Sequence, residues 1–174
     1  MSMDSTSFKA AVFSDLEREL TVTRSVLAAV PDGQHDWKPH EKSMSLGRLA
    51  LHVAYLPDWA RATLAADELD AAAAPQIPKS VRGVHELLEH FDRKVAELRA
   101  EVAKFDIANW ERPWSMRSGG QIMVTKPRSY VYRVWCLNHL VHHRGQVCVY
   151  LRMLNVPVPT VYFNTADDPR FVFE

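Results

Sequence analysis

The stretch Val84-His85-Glu86-Leu87-Leu88-Glu89-His90-Phe91-Asp92-Arg93-Lys94-Val95-Ala96-Glu97-Leu98-Arg99-Ala100-Glu101-Val102-Ala103-Lys104-Phe105 carries the clearest pattern in the chain. Its apolar residues Val84, Leu87, Phe91, Val95, Leu98, Val102 and Phe105 recur every three or four positions, which paints one side of an α-helix capped near Ser80. The same spacing runs through Phe8, Val12, Leu16, Leu20, Thr23, Leu27 and Val30 until Pro31-Asp32-Gly33 stops it. A second helix, capped by Ser43 or Ser45, carries Leu46, Leu49, Val53, Leu56, Ala60 and Leu64, with a bend expected at Pro57 because proline cannot donate to the carbonyl of Val53. The last begins after Pro127 and runs through Val131, Trp135, Leu137, Val141, Val147 and Leu151 to about Leu154. Four amphipathic helices of about twenty residues predict an all-α four-helix bundle, in one domain spanning residues 1–174.

Three segments fall outside that pattern. Asp70 to Pro78, with four alanines and two prolines, reads as a linker. Between Asp106 and Lys126, Trp110 and Trp114 precede Ser118-Gly119-Gly120 and Ile122-Met123-Val124, which predicts a short β-hairpin inserted before the last helix. After Leu154 the tail is irregular. Its apolar residues Val156, Val158, Val161, Tyr162, Phe163, Phe171 and Phe173 are too many to be solvated, so it is expected to pack across the bundle or a partner subunit.

The 174 residues are 47% hydrophobic, enough for a core without staples, and 21 Lys+Arg balance 21 Asp+Glu. With a pI near 7.1 there is no basic field to hold phosphates, which excludes a nucleic-acid binder of the electrostatic type. Met1 to Ser7 lacks a basic segment followed by an apolar one, and no window approaches about 18 uninterrupted apolar residues. A cytoplasmic protein that neither spans nor binds a membrane is expected. Cys136 and Cys148 fall on one helix, about 18 Å apart along its axis, too far to bridge.

Eight histidines are a modest excess, and three of them fall within Asn138-His139-Leu140-Val141-His142-His143-Arg144-Gly145-Gln146. Residues four apart on a helix project from the same side, so His139 and His143 can offer two imidazole nitrogens to one metal ion; His142, three from His139, is a weaker candidate. Such a pair also occurs on solvated helix faces, so a third ligand must come from elsewhere. His52 lies in the apolar run Leu49-Ala50-Leu51-His52-Val53-Ala54, where a lone histidine would be a hydrogen-bonded core residue and a histidine facing a helix-borne pair would complete a site. His35, His40, His85 and His90 are expected at the surface.

The segment Pro39-His40-Glu41-Lys42-Ser43-Met44-Ser45-Leu46-Gly47-Arg48-Leu49-Ala50-Leu51-His52-Val53-Ala54 resembles the second-helix signature of the DinB family, also called DinB/YfiT-like. His139 to Gln146, continued by Tyr150-Leu151-Arg152, resembles its fourth-helix signature, in the right order. The resemblance implies a four-helix bundle in which His52, His139 and His143 bind a divalent cation, zinc or nickel, with water in the remaining positions and His142 a neighbour. It also implies a homodimer, and chemistry on a small-molecule substrate that in some relatives uses a low-molecular-weight thiol.

Three neutral imidazoles leave a cation its full charge and an open position, where a water or a thiol loses its proton more readily. Zinc peptidases place a glutamate directly after the first histidine; Leu140 stands there here, which disfavours hydrolysis and leaves thiol chemistry less affected. The expected activity is therefore thiol-dependent transfer, with a metal-dependent hydrolase and a non-catalytic metal-binding or stress-response module as alternatives. Gln146 can orient a histidine or a bound water from behind. By helical spacing Tyr132, Trp135 and Tyr150 share the His139 face, and Tyr55 and Trp59 flank His52; these five, with Arg144, are substrate-binding candidates. Arg144 and Arg152 can each grip a carboxylate, with surface ion pairing as their ordinary role, and Cys136 reads as a small apolar residue.

Overall fold

The computed structural model describes residues 4–74 and 77–167. In chain order the elements are α1 (Ser5–Val12), α2 (Leu16–Ala28), α3 (Leu46–Ala65), β1 (Glu68–Asp70), α4 (Val84–Lys104), a 3-10 turn (Ile107–Asn109), β2 (Pro113–Ser118), β3 (Gln121–Pro127), α5 (Arg128–Tyr130), a π-helical stretch (Val131–Leu137) and α6 (Asn138–Met153). The last three follow one another without a break, so the predicted fourth helix exists but changes its winding part-way. Both α2 and α3 pack against α4 and α6 and so take opposite corners of a four-helix bundle. Their apolar stripes meet in one core that includes Leu20, Leu27, Leu49, Val53, Leu87, Phe91, Leu98, Val147 and Leu151.

The first predicted helix is two helices. The chain breaks at Phe13-Ser14-Asp15, where Phe13 leaves the helical path and sets its ring edge-on to Phe105, Trp110 and Tyr132 at centroid distances of 6.4, 5.9 and 5.3 Å. Aromatic packing over such distances outweighs one continued turn. Beyond the break α1 buries no residue, and Phe8, expected on the apolar face, is exposed. α3 continues through Pro57, and its cap is Ser45, whose hydroxyl accepts from the Arg48 N–H at 3.3 Å. α4 starts at Val84, later than the Ser80 reading, because its first free N–H donates at 2.8 Å to Asp32 of the α2–α3 loop.

The hairpin forms where the sequence placed it. Gly119 and Gly120 have φ of +57° and +83°, the left-handed pair that a two-residue turn between twisted strands requires. A third strand joins it: β1, within the stretch read as a linker, pairs parallel to β2 and makes the order β1-β2-β3. The Asp70 carboxylate receives the Gly119 and Gly120 N–H groups at 3.2 and 3.1 Å, so the turn is held from the neighbouring strand. Arg128, buried at the foot of the last helix, donates to the carbonyls of Thr63 (2.8 Å), Ala66 (3.0 Å) and Asn109 (2.8 Å) and pairs with Asp67. Its cation thus satisfies carbonyls at the C-terminal end of α3.

The tail packs on its own bundle: Val158 is buried, and Val156 and Val161 lie against the core. Phe171 and Phe173 fall outside the described residues. Among the described residues no helix is long and apolar enough to cross a membrane, and both cysteines are free thiols.

On α6, Leu140, Arg144, Val147 and Leu151 are the buried positions. Arg144, 1% exposed, pairs with Glu19 of α2 at 2.6 Å and donates to Thr23 Oγ1 at 3.2 Å and Tyr162 Oη at 2.7 Å. Removing one partner of such a pair leaves an uncompensated buried charge. Glu19→Leu is expected to lower unfolding free energy by about 3–5 kcal/mol, and adding Arg144→Met should restore most of it, as measured by urea denaturation.

Candidate metal centre

The second stripe on α6 is polar. His139, His143, Gln146 and Tyr150 repeat the 4-3-4 spacing of the buried stripe one residue out of phase, and all are half-buried. Because Arg144 and its apolar neighbours point into the core, His139 and His143 turn toward α3, where His52 meets them. His52 Nε2 lies 3.3 Å from His139 Nε2, and His139 Nε2 lies 2.7 Å from His143 Nε2. The ligand atoms of all three are within 4.8 Å of one another. Two nitrogens on one tetrahedral zinc, each at about 2.0–2.1 Å, stand about 3.3 Å apart, which the His52–His139 separation matches and the His139–His143 pair reaches if its rings part by about 0.6 Å.

The opposite ring nitrogens say which lone pairs are free. His139 Nδ1 is 3.2 Å from the Trp135 carbonyl oxygen, which can only accept, so Nδ1 carries the proton and Nε2 keeps its lone pair. His143 Nδ1 is 2.7 Å from Gln146 Oε1, which assigns the same tautomer. Two Nε2 lone pairs facing each other at 2.7 Å repel unless a positive charge lies between them, and His52 adds a third imidazole. The donor set therefore fits a metal ion, and the three histidines could hold one. Burial first, then the neighbouring His143, His139 and Arg48, pushes His52 down to about 4; burial also lowers His143, opposed by its bond to Gln146. Both rings are thus neutral at pH 7, the state a metal requires. Among the described residues no carboxylate bonds to any of the three.

Beside His139 an open groove of about 410 Å³ is lined by Trp59, Val134, Trp135, Asn138 and His142. Of the substrate-binding candidates, Trp59 and Trp135 line this groove beside His139. Gln146 holds His143 as anticipated. His142 is exposed, its ring centroid 4.9 Å from that of His143. Val134 and Asn138, five residues and one residue before His139, are groove residues that the sequence reading does not single out.

Other candidates are placed elsewhere. Tyr132 is buried in the cluster with Phe13 and Trp110, and Cys136, whose thiol burial pushes up to about 12, lies 3.5 Å from Thr63 Oγ1. Uniform 3.6-residue spacing sets Tyr132 on the His139 face; the wider π-helical winding of Val131–Leu137 changes the phase and turns it inward, while Cys136 is buried, in keeping with its reading as a small apolar residue. Tyr150 stays on the polar stripe but about 16 Å along the axis from His139, where its hydroxyl donates to the Met44 carbonyl at 3.3 Å and its ring meets Trp37. Arg144 is neither a surface pair nor open to a ligand, since Glu19 neutralises it in the core, and Arg152 pairs with Asp167. Two histidines expected at the surface are partly covered. His35 lies under the start of α3, where a Cβ on Gly47 would come within 2.8 Å of its own Cβ, and His90 Nδ1 meets the Tyr55 hydroxyl at 3.2 Å.

Comparison with known proteins agrees with this architecture. A DinB-like protein from Bacillus cereus ATCC 10987 superposes with a TM-score of 0.65 at 18% identity, covering 87% of this chain and 95% of its own. A DinB-like protein from Bacillus subtilis gives a TM-score of 0.69 at 15% identity, covering 92% and 99%. No significant match is found among curated proteins. The model of the DinB family matches residues 1–170, and with that match, the bundle and the two histidine-bearing helices, the chain belongs to the DinB family.

Proposed function

We propose that His52, His139 and His143 bind one divalent cation, zinc or nickel, and that the protein uses it for thiol-dependent transfer on a small molecule. The observation that carries this reading is the convergence of three Nε2 atoms from two helices at the edge of a groove walled by Trp59 and Trp135. A cation bound there supplies Lewis acidity, which lowers the pKa of a thiol or water beside it. The protein's own residues do the positioning. The Trp135 carbonyl and Gln146 each hold one ring by Nδ1 and so direct Nε2 outward. The two tryptophans exclude water from one flank and offer an apolar wall to a substrate. Thiol chemistry is favoured over hydrolysis because Leu140 stands where zinc peptidases place a base and, among the described residues, no carboxylate hydrogen-bonds to these histidines, whereas a thiol ionises more readily on its own.

Elemental analysis of the purified protein should show about one metal per chain, and His139→Ala and His143→Ala should each lose most of it; unchanged metal content in both would refute the ligand assignment. Turnover of an electrophile panel should require added thiol, and turnover without it would favour the hydrolase. Because burial pushes His52 down to about 4, its ring stays neutral well below pH 6.5, so bound metal should persist at pH 6 and be released as pH falls toward 4. Metal retention measured after dialysis at each pH tests this. Gln146→Leu should weaken metal binding about 10–100-fold with little change in fold, read by competition with a chelator.

A further inference from the structure

Next to the histidine groove, and sharing Trp59 with it, α3 borders a second cavity, of about 320 Å³, within the range of small-ligand pockets. Tyr55, Trp59, Leu69 and Ile77 give it apolar walls, and Lys94 of α4 reaches its rim. Arg48, Asp58 and Arg61 supply the remaining charge. Most of that charge cancels. Asp58 accepts from Arg61 at 2.8 Å and lies 3.5 Å from Lys94, while Glu97 lies 3.0 Å from Lys94 and 3.8 Å from Arg61. Two cations and two carboxylates form a closed quartet. Arg48 stands outside it, and the only partner recorded for it among the described residues is the Pro78 carbonyl at 3.3 Å. A guanidinium has five N–H donors in a flat fork that matches a carboxylate, so most of its capacity is open.

The aromatic wall is held in place. Arg93 Nη2 donates to His90 Nδ1 at 2.7 Å, which makes that nitrogen an acceptor, so the Tyr55 hydroxyl 3.2 Å away donates to it as well. The Tyr55 hydroxyl is thus turned toward His90, and among the described residues Arg48 is the cation of the cavity lining that no carboxylate pairs with. Arg48, His52, Tyr55 and Trp59 follow at spacings of four, three and four along one face of α3.

We propose that this cavity binds a small organic acid, with its aromatic or alkyl body between Tyr55 and Trp59 and its carboxylate on Arg48. The site needs no metal, so it stands or falls separately from the histidine centre. The test is calorimetric titration of the chelator-treated full chain with 4-phenylbutyrate and with its uncharged amide. The acid is expected to bind at least about tenfold more tightly than the amide, the difference that one charge-assisted hydrogen-bonded contact makes. Arg48→Gln should remove that preference, Trp59→Ala should weaken both ligands, and Arg82→Gln, an exposed arginine away from the cavity, should change neither. Thermal unfolding of each variant reports whether it is folded, and Arg48→Lys, which keeps the charge, should retain part of the preference. Equal binding of acid and amide, full binding by Arg48→Gln, or no binding by the native chain would overturn the proposal. Binding that requires added zinc and is lost in His139→Ala would also overturn it, since the acid would then sit on the metal.

Discussion

The buried pair between Arg144 and Glu19 sets the rotation of the last helix, and the candidate centre depends on that rotation. A guanidinium in a core is tolerated only where its charge is met, and here Glu19, Thr23 and Tyr162 together meet it. Once Arg144 points at α2, helical geometry leaves His139 and His143 on the neighbouring stripe, facing α3. A helix with only apolar core residues could slip or rotate at modest cost; one with a core arginine cannot. Tyr162 of the tail joins the same pair, so the irregular C-terminal segment is tied to the helix orientation and not merely laid over it.

The histidine centre shows the same economy of partners. Each α6 imidazole spends one nitrogen on the protein and keeps the other for the site, and the two free nitrogens of His139 and His143, 2.7 Å apart, lie too close together to be stable as bare lone pairs. The π-helical stretch ends just before His139 and contributes the Trp135 carbonyl that orients it. Irregular winding there also drives Tyr132 and Cys136 into the core, which keeps the thiol of Cys136 protonated and inert. One face of α3 in turn serves two neighbouring sites, with His52 toward α6 and the Tyr55–Trp59 wall toward the cavity that reaches α4.

Much of this was legible in advance. The helices, the hairpin and the Gly119-Gly120 turn follow from residue spacing and from glycine's access to positive φ, and the His139–His143 pair follows from a four-residue interval. Gln146 was also readable, being three residues from His143. The misreadings share one cause. Tyr132 is misplaced by assuming a uniform α-helix, Arg144 by assuming that a charge so near the histidines faces outward, and the start of α4 by seeking its cap nearby when Asp32 supplies it from a distant loop. β1 escaped notice because three residues hold no periodicity, and it exists only by pairing with β2.

The sequence by itself determined what is local: four amphipathic helices, a glycine turn between two strands, and two imidazoles on one helical face. These depend on backbone geometry within a few residues, which neighbouring side chains report directly. Tertiary structure alone decided that Arg144 is internal, that Asp32 and Asp70 cap elements far along the chain, and that Arg48 has no carboxylate partner among the described residues beside an aromatic cavity. Those are outcomes of which surfaces meet, and the meeting of surfaces is settled by the whole core at once.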